Sequence, residues 1–136
     1  MEPKFRIPLS RNSKAPLAGG SWLDDITDDD DQVSQWLWDM LNIGCPLKEN
    51  GLVVVDFDTG KEPARDFYRQ HKELCSVVVV TRRGAHMYFT GETKTRKFEH
   101  GDIKGNGYVV YPPSEVDGFK YWFAKEDWHK LQPFWA

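Results

Sequence analysis

The sequence predicts a single α+β domain spanning residues 1–136, in which a βαβ-like unit leads into a second half that is mainly sheet. Three observations carry that expectation. Two apolar, β-branched runs flank a helical pattern, at 52–58 and 77–81. Beyond them the pattern shortens to strand-length segments separated by turn residues. The length of 136 residues suits one core and not two.

Residues 1–21 mix basic residues, prolines and the pair Gly19-Gly20, and read as an extended surface arm. A helix follows. Val33, Trp36, Leu37, Met40 and Leu41 fall on one apolar stripe, with aspartates before it and Gly44 as its terminator. Leu52-Val53-Val54-Val55-Asp56-Phe57-Asp58 is nearly continuous in apolar residues until its end, the pattern of a central strand covered on both faces. A second helix has Pro63 near its start and Ala64, Phe67 and His71 on one side. Short strands are expected at 85–89, 102–104, 108–111 and 120–123, with Gly105-Asn106-Gly107 as a tight hairpin turn. The tail, Trp128, Leu131 and Trp135, is read as folding back onto the domain.

Composition narrows the function classes. Hydrophobic residues make up 40% and charged residues 29% of the chain, so a packed core is expected and disorder is not. No apolar run reaches the roughly 20 residues of a membrane span, and no leader pattern is visible, so a cytoplasmic protein without membrane partners is expected. Cys45 and Cys75 form no CxxC pair and are read as free thiols. The net charge of −3 hides an asymmetry, because Asp24, Asp25, Asp28, Asp29, Asp30 and Asp31 lie in one segment. The remaining chain has fifteen acidic against eighteen basic residues, and so does not exclude a polyanionic partner. The aspartate run itself is read as a solvated helix N-terminus in preference to a metal site.

Asp56 and Asp58 are two apart in a strand, so their side chains leave the same face where the apolar run ends. Two anions held together call for compensation, which either a divalent cation such as Mg²⁺ or Mn²⁺ or plain solvation provides. His86 and Tyr88 share one face of their strand, opposite Ala85, Met87 and Phe89, and the face carrying the aliphatic residues is expected to be the core. Arg82-Arg83-Gly84 just before His86 suits phosphate binding, although a solvated turn reads equally simply. Asp102 and Lys104 again share a face. Three convergent carboxylates would hold two metals and leave Lys104 for a phosphate, whereas a surface ion pair is the plain alternative.

In their order along the chain these motifs resemble the primase-polymerase domain of the archaeo-eukaryotic primase superfamily, common in phages, plasmids and prokaryotes. Lys14-Ala15-Pro16-Leu17 with Trp22, and Asn42-Ile43-Gly44, are similar to its early blocks. VVVDFD, TRRGAHMYF and HGDIKGNGYVVYPPS are similar to its three core motifs, and the resemblance covers about residues 8–124. It implies an α/β unit joined to a sheet similar to an RNA-recognition motif, with the active site between them. It further implies that Asp56, Asp58 and Asp102 bind two divalent ions, Mg²⁺ or Mn²⁺, and that His86 holds the incoming nucleoside triphosphate. Lys104, Arg83, Lys14 and Ser114 are the candidates for further phosphate contacts. The implied activity is templated nucleotidyl transfer, as a DNA primase, a DNA polymerase or both, on a single-stranded or primed template. A replicative helicase or accessory primase domain is the implied partner. Many members carry a serine two residues before the histidine, where this chain has Gly84. The alternatives are a non-catalytic nucleotide- or nucleic-acid-binding subunit and, more remotely, a haloacid-dehalogenase-like phosphatase. The latter's Asp-x-Asp motif wants a residue between the second aspartate and Thr, but Thr59 follows Asp58 directly.

Overall fold

In the computed structural model, which describes residues 2–17 and 21–134, the chain forms an α+β fold built on two main sheets. The order of elements is β1 (Ile7–Leu9), α1 (Asp30–Trp38), β2 (Asn42–Pro46), β3 (Leu52–Phe57), α2 (Lys61–Gln70), β4 (Val77–Val80), β5 (Ala85–Thr90), β6 (Arg96–Phe98), β7 (Gly101–Lys104), β8 (Tyr108–Tyr111), β9 (Glu115–Val116), β10 (Phe119–Lys120) and β11 (Trp122–Glu126). A six-stranded sheet runs in the order β11-β4-β5-β3-β7-β6, and a three-stranded sheet in the order β1-β2-β8.

The βαβ expectation is met in a split form. β3 and β4 are each antiparallel to β5, which lies between them, so the α2 crossover joins parallel strands one position apart. β3 is central and buried along its whole length, as its continuous apolar run requires. Its two faces serve two cores. Val54, with Val79 and Tyr88, packs against Ile7, Leu9 and Cys45 of the three-stranded sheet. Val55 and Phe57, with Val78, Met87 and Phe89, pack beneath α2 around Ala64. The face of β5 that carries His86 and Tyr88 is therefore as buried as the other, with Tyr88 fully enclosed.

Three expectations are corrected. The N-terminal arm contains a strand: β1 pairs with β2 and is buried throughout, and its Pro8 is tolerated because β1 is an edge strand. The first helix stops at Trp38, where the chain turns through Met40, and Gly44 lies inside β2. Of the expected stripe only Val33 is buried, while Leu37 and Met40 are exposed. The run Gly105-Asn106-Gly107 does not close a hairpin, because β7 belongs to the six-stranded sheet and β8 to the other. By Gly107 the carbonyl already accepts from Leu47 N–H at the end of β2, so this segment carries the chain between sheets. The tail does fold back, with Trp128 buried against Tyr88, but it forms a short 3-10 turn (Trp128–Lys130). Trp135 and the pair Gly19-Gly20 lie outside the described residues.

The aspartate run begins α1. Asp29 caps it by accepting from Asp31 N–H at 2.9 Å, and Asp30 and Asp31 occupy the first turn, where the helix dipole favours anions.

Candidate active site

Strand register brings the sequence-predicted groups together. Asp56 on β3 is the direct antiparallel partner of His86 on β5 and, on its other side, of Asp102 on β7. Direct partners share a face, so His86, Asp56 and Asp102 form a row across the sheet. The next row on that face contains Val54 with Lys104, which places Lys104 beside Asp56. Asp58 has just left the strand, its N–H donating to the His100 carbonyl at 3.0 Å, and still projects to the same side.

Carboxylate oxygens of Asp56, Asp58 and Asp102 all lie within 4.8 Å of one another, and among the described residues no other three metal-ligating side chains do so. His86 Nε2 is 3.4 Å from Asp56 Oδ1, and Lys104 Nζ is 3.4 Å from Asp56 Oδ2. Burial alone would raise the Asp56 pKa, but the His86 hydrogen bond and the His86 and Lys104 charges outweigh it and hold the pKa down to about 2. Asp56 is thus an anion throughout the physiological range. Asp102 is paired with Lys97 at 3.3 Å, but that lysine is almost fully exposed and the pair adds little. His86 Nδ1 is buried without a hydrogen-bond partner.

These groups line a cleft where the two sheets diverge. One hollow of about 260 Å³ contains the three acids, Lys14, Arg83 and Lys104. An adjoining hollow of about 230 Å³ is shared by Asp56, His86 and Lys104 with Tyr108 and Val110 of β8. Lys14 reaches the cleft because the Tyr108 hydroxyl donates to its carbonyl at 2.8 Å. Ser114 does not join them. Its hydroxyl accepts from Ile43 N–H at 2.7 Å and donates to the Ile43 carbonyl at 3.2 Å, buried against β2.

Tyr121 and Asp117 also line the cleft, and sequence reasoning did not single them out. Tyr121 is buried with its ring 6.1 Å from that of His86. Arg82 reaches Asp117, between β9 and β10, at 3.5 Å, an exposed pair at the rim. No local pattern marks Tyr121, whose place depends on its N–H bond to the Ser114 carbonyl at 2.9 Å.

Gly84 has a structural reason. A Cβ there would overlap the carbonyl of Phe57, so the turn before His86 lies directly on the end of β3. Gly101 is under the same constraint, since a Cβ would strike the carbonyl of Asp56. Both glycines let backbone approach closely enough to bring the flanking acids and cations together.

Three carboxylates converging beside lysines, an arginine and a histidine can hold a hard divalent cation next to a phosphate-bearing ligand. The protein is therefore an α+β domain whose cleft gathers three carboxylates able to hold a metal ion beside several cationic side chains. It belongs to the Prim-Pol family, the N-terminal domain of bifunctional DNA primase/polymerases, whose family model matches residues 3–135. No individual curated protein matches the chain at a significant level. No described helix is long and apolar enough to cross a membrane.

Proposed function

We propose that residues 1–136 form a minimal primase-polymerase catalytic domain that joins nucleotides from NTPs or dNTPs on a single-stranded or primed DNA template. The observation that carries this reading is the convergence of Asp56, Asp58 and Asp102 beside His86 and Lys104 in one cleft. The fold is then the primase core, with the split βαβ unit and its antiparallel neighbours as the sheet similar to an RNA-recognition motif.

In this reading the three aspartates are metal ligands for two ions, Mg²⁺ or Mn²⁺, and not acid or base groups. The donor set fits, because all three side chains offer hard oxygen and Asp56 stays ionised. When bound, such ions supply activation of the attacking hydroxyl and neutralise charge on the leaving group. The reaction is in-line attack of a 3′-hydroxyl on the α-phosphorus of the triphosphate, with pyrophosphate leaving. Lys104, Arg83 and Lys14 bind and orient the triphosphate through fixed positive charge. His86 holds it from the floor of the cleft, with Nε2 beside Asp56. Ser114 secures β2 and takes no part in phosphate binding. A replicative helicase or accessory primase domain remains the proposed partner, in the cytoplasm.

The deciding experiment supplies primed and unprimed single-stranded templates, Mg²⁺ or Mn²⁺ and labelled nucleotides. Product on the primed template alone identifies a polymerase, and product on both a primase as well. Binding without any product would leave the non-catalytic module. Normal incorporation by Asp56→Asn overturns the site assignment.

A further inference from the structure

An apolar groove lies away from the cleft, on the α2 side of the six-stranded sheet. It measures about 540 Å³, and its floor is made by Val78, Val80, Ala85 and Met87. α2 leaves this corner of the sheet uncovered toward β11, where Trp122 stands 52% exposed. The rim is cationic. Lys61 and Lys125 lie over the rings of Phe119 and Tyr68, and Arg65 and Arg69 share Glu62 through exposed, long ion pairs.

The opposite combination occurs on another part of the chain. Trp38 is 84% exposed and Met40 73%, with Leu37 beside them, although each is a large apolar side chain. The segment 24–41 that carries them holds seven aspartates and no lysine or arginine: Asp39 lies between Trp38 and Met40, Asp31 is two helical turns before Trp38 on the same face of α1, and Asp30 pairs with Arg6. α1 packs against β1 and β2 of the three-stranded sheet, whereas the groove lies on the six-stranded sheet beneath α2. The two surfaces belong to different layers, so one copy does not fill its own groove.

We propose that the groove receives a second copy of this chain, with Trp38 and Met40 inserted over the apolar floor and the surrounding aspartates facing the cationic rim. Charge complementarity selects this occupant: an acidic surface with an apolar knob meets a basic surface with an apolar hollow. A nucleic-acid strand would match the rim but would set its sugar-phosphate backbone against an aliphatic floor. Because knob and groove are different patches, the contact is head-to-tail and extends beyond two copies unless the rotation closes a ring. The inference stands apart from the proposed catalysis and uses none of its residues.

Sedimentation velocity on the full chain tests it, from micromolar to millimolar concentration and in low and high salt. The wild type is expected to grow in size with concentration at ~0.05 M salt and to dissociate at ~0.5 M, where charges are screened beyond a few ångströms. Trp38→Asp and Ala124→Glu, the latter placing an anion on the exposed groove wall, are each expected to weaken association at least about tenfold. Trp38→Ala should weaken it in the same direction without adding charge. Both sites are exposed, and unchanged thermal melting verifies the fold. Mixing Trp38→Asp with Ala124→Glu leaves one intact knob and one intact groove, so a 1:1 dimer should form that neither variant makes alone. A wild type that stays monomeric, a Trp38→Asp variant that associates normally, or a mixture that stays monomeric each overturns the proposal. A monomeric wild type whose binding of an oligothymidine probe is weakened by Ala124→Glu would assign the groove to nucleic acid instead.

Discussion

Asp56 and Asp102 stand directly opposite one another across the β3–β7 ladder, two anions fixed face to face by strand register. With carboxylate oxygens within 4.8 Å, their gross repulsion at an effective dielectric near 20 is about 3 kcal/mol, reduced further by solvent. The metal-free domain therefore carries a strain that a cation relieves. Asp102→Asn should raise the metal-free melting temperature by about 4 °C, the equivalent of about 1 kcal/mol. Mg²⁺ or Mn²⁺ should stabilise the wild type and not this variant, as a ligand that binds only the folded site must. Thermal melts with chelator and with each ion check both halves.

Asp56→Asn should do the reverse. This carboxylate is the one compensated by His86 and Lys104, and removing its charge leaves both without their partner. A loss of about 1–3 kcal/mol is expected, short of unfolding, together with loss of nucleotide incorporation. The sign of the pH dependence follows from the same pairing. A carboxyl held at about 2 when folded and near 4 when unfolded contributes stability that is present above about pH 4 and is lost as pH falls toward 2. Acid melts should show that contribution in the wild type and lack it in Asp56→Asn.

The contrast between these two aspartates shows how far the sequence could be read. Alternation along a strand puts Asp56 and Asp58 on one face, and Asp102 with Lys104 on another strand's face, from spacing alone. That β7 would lie against β3, and in the register that opposes Asp102 to Asp56, is a non-local choice that no spacing contains. The missed strands have the same cause. β1 contains Pro8 and β2 contains Gly44 and Pro46, residues of low strand propensity that pairing and burial overrule. The stripe across 33–41 misled because Leu37 and Met40 are apolar yet exposed, so their period does not report a core-facing side. Gly105-Asn106-Gly107 has hairpin chemistry but sits where the chain changes sheets, and composition does not distinguish the two uses.

Gly84→Ser should fail despite being a small change. The added Cβ meets the Phe57 carbonyl, a backbone atom on the central strand that cannot yield without moving β3. The β4–β5 turn would shift instead, carrying Arg83 and His86 away from the acids. A stability loss of about 2–4 kcal/mol is expected, with a larger fall in nucleotide affinity than in template binding. Chemical denaturation and nucleotide titration measure the two effects separately. A variant as stable as the wild type would show that the turn has room that the backbone approach denies.

The buried thiols and phenols set the alkaline limit. Burial pushes the Cys45 thiol up to about 12 and the Cys75 thiol up to about 11, and it also raises Tyr88 and Tyr111. Each group is held protonated in the folded chain while its unfolded counterpart ionises near 9 to 10, so the unfolded state binds fewer protons in that window. Their contribution is therefore complete below about pH 9 and is lost as pH rises toward the folded values, at about 1.4 kcal/mol per pH unit for each group that the unfolded chain has ionised. Denaturant midpoints should fall steeply above pH 9 and stay level from pH 7 to 8.5. The same burial keeps both cysteines from a thiol reagent at pH 8, so labelling should track global unfolding and show no fast phase. Cys45→Ala should flatten the alkaline slope, and it should cost stability at neutral pH because the thiol fills a fully enclosed position between the sheets. A steep neutral-to-alkaline fall unchanged in that variant would mean that the surface charges, and not the buried protons, set the limit.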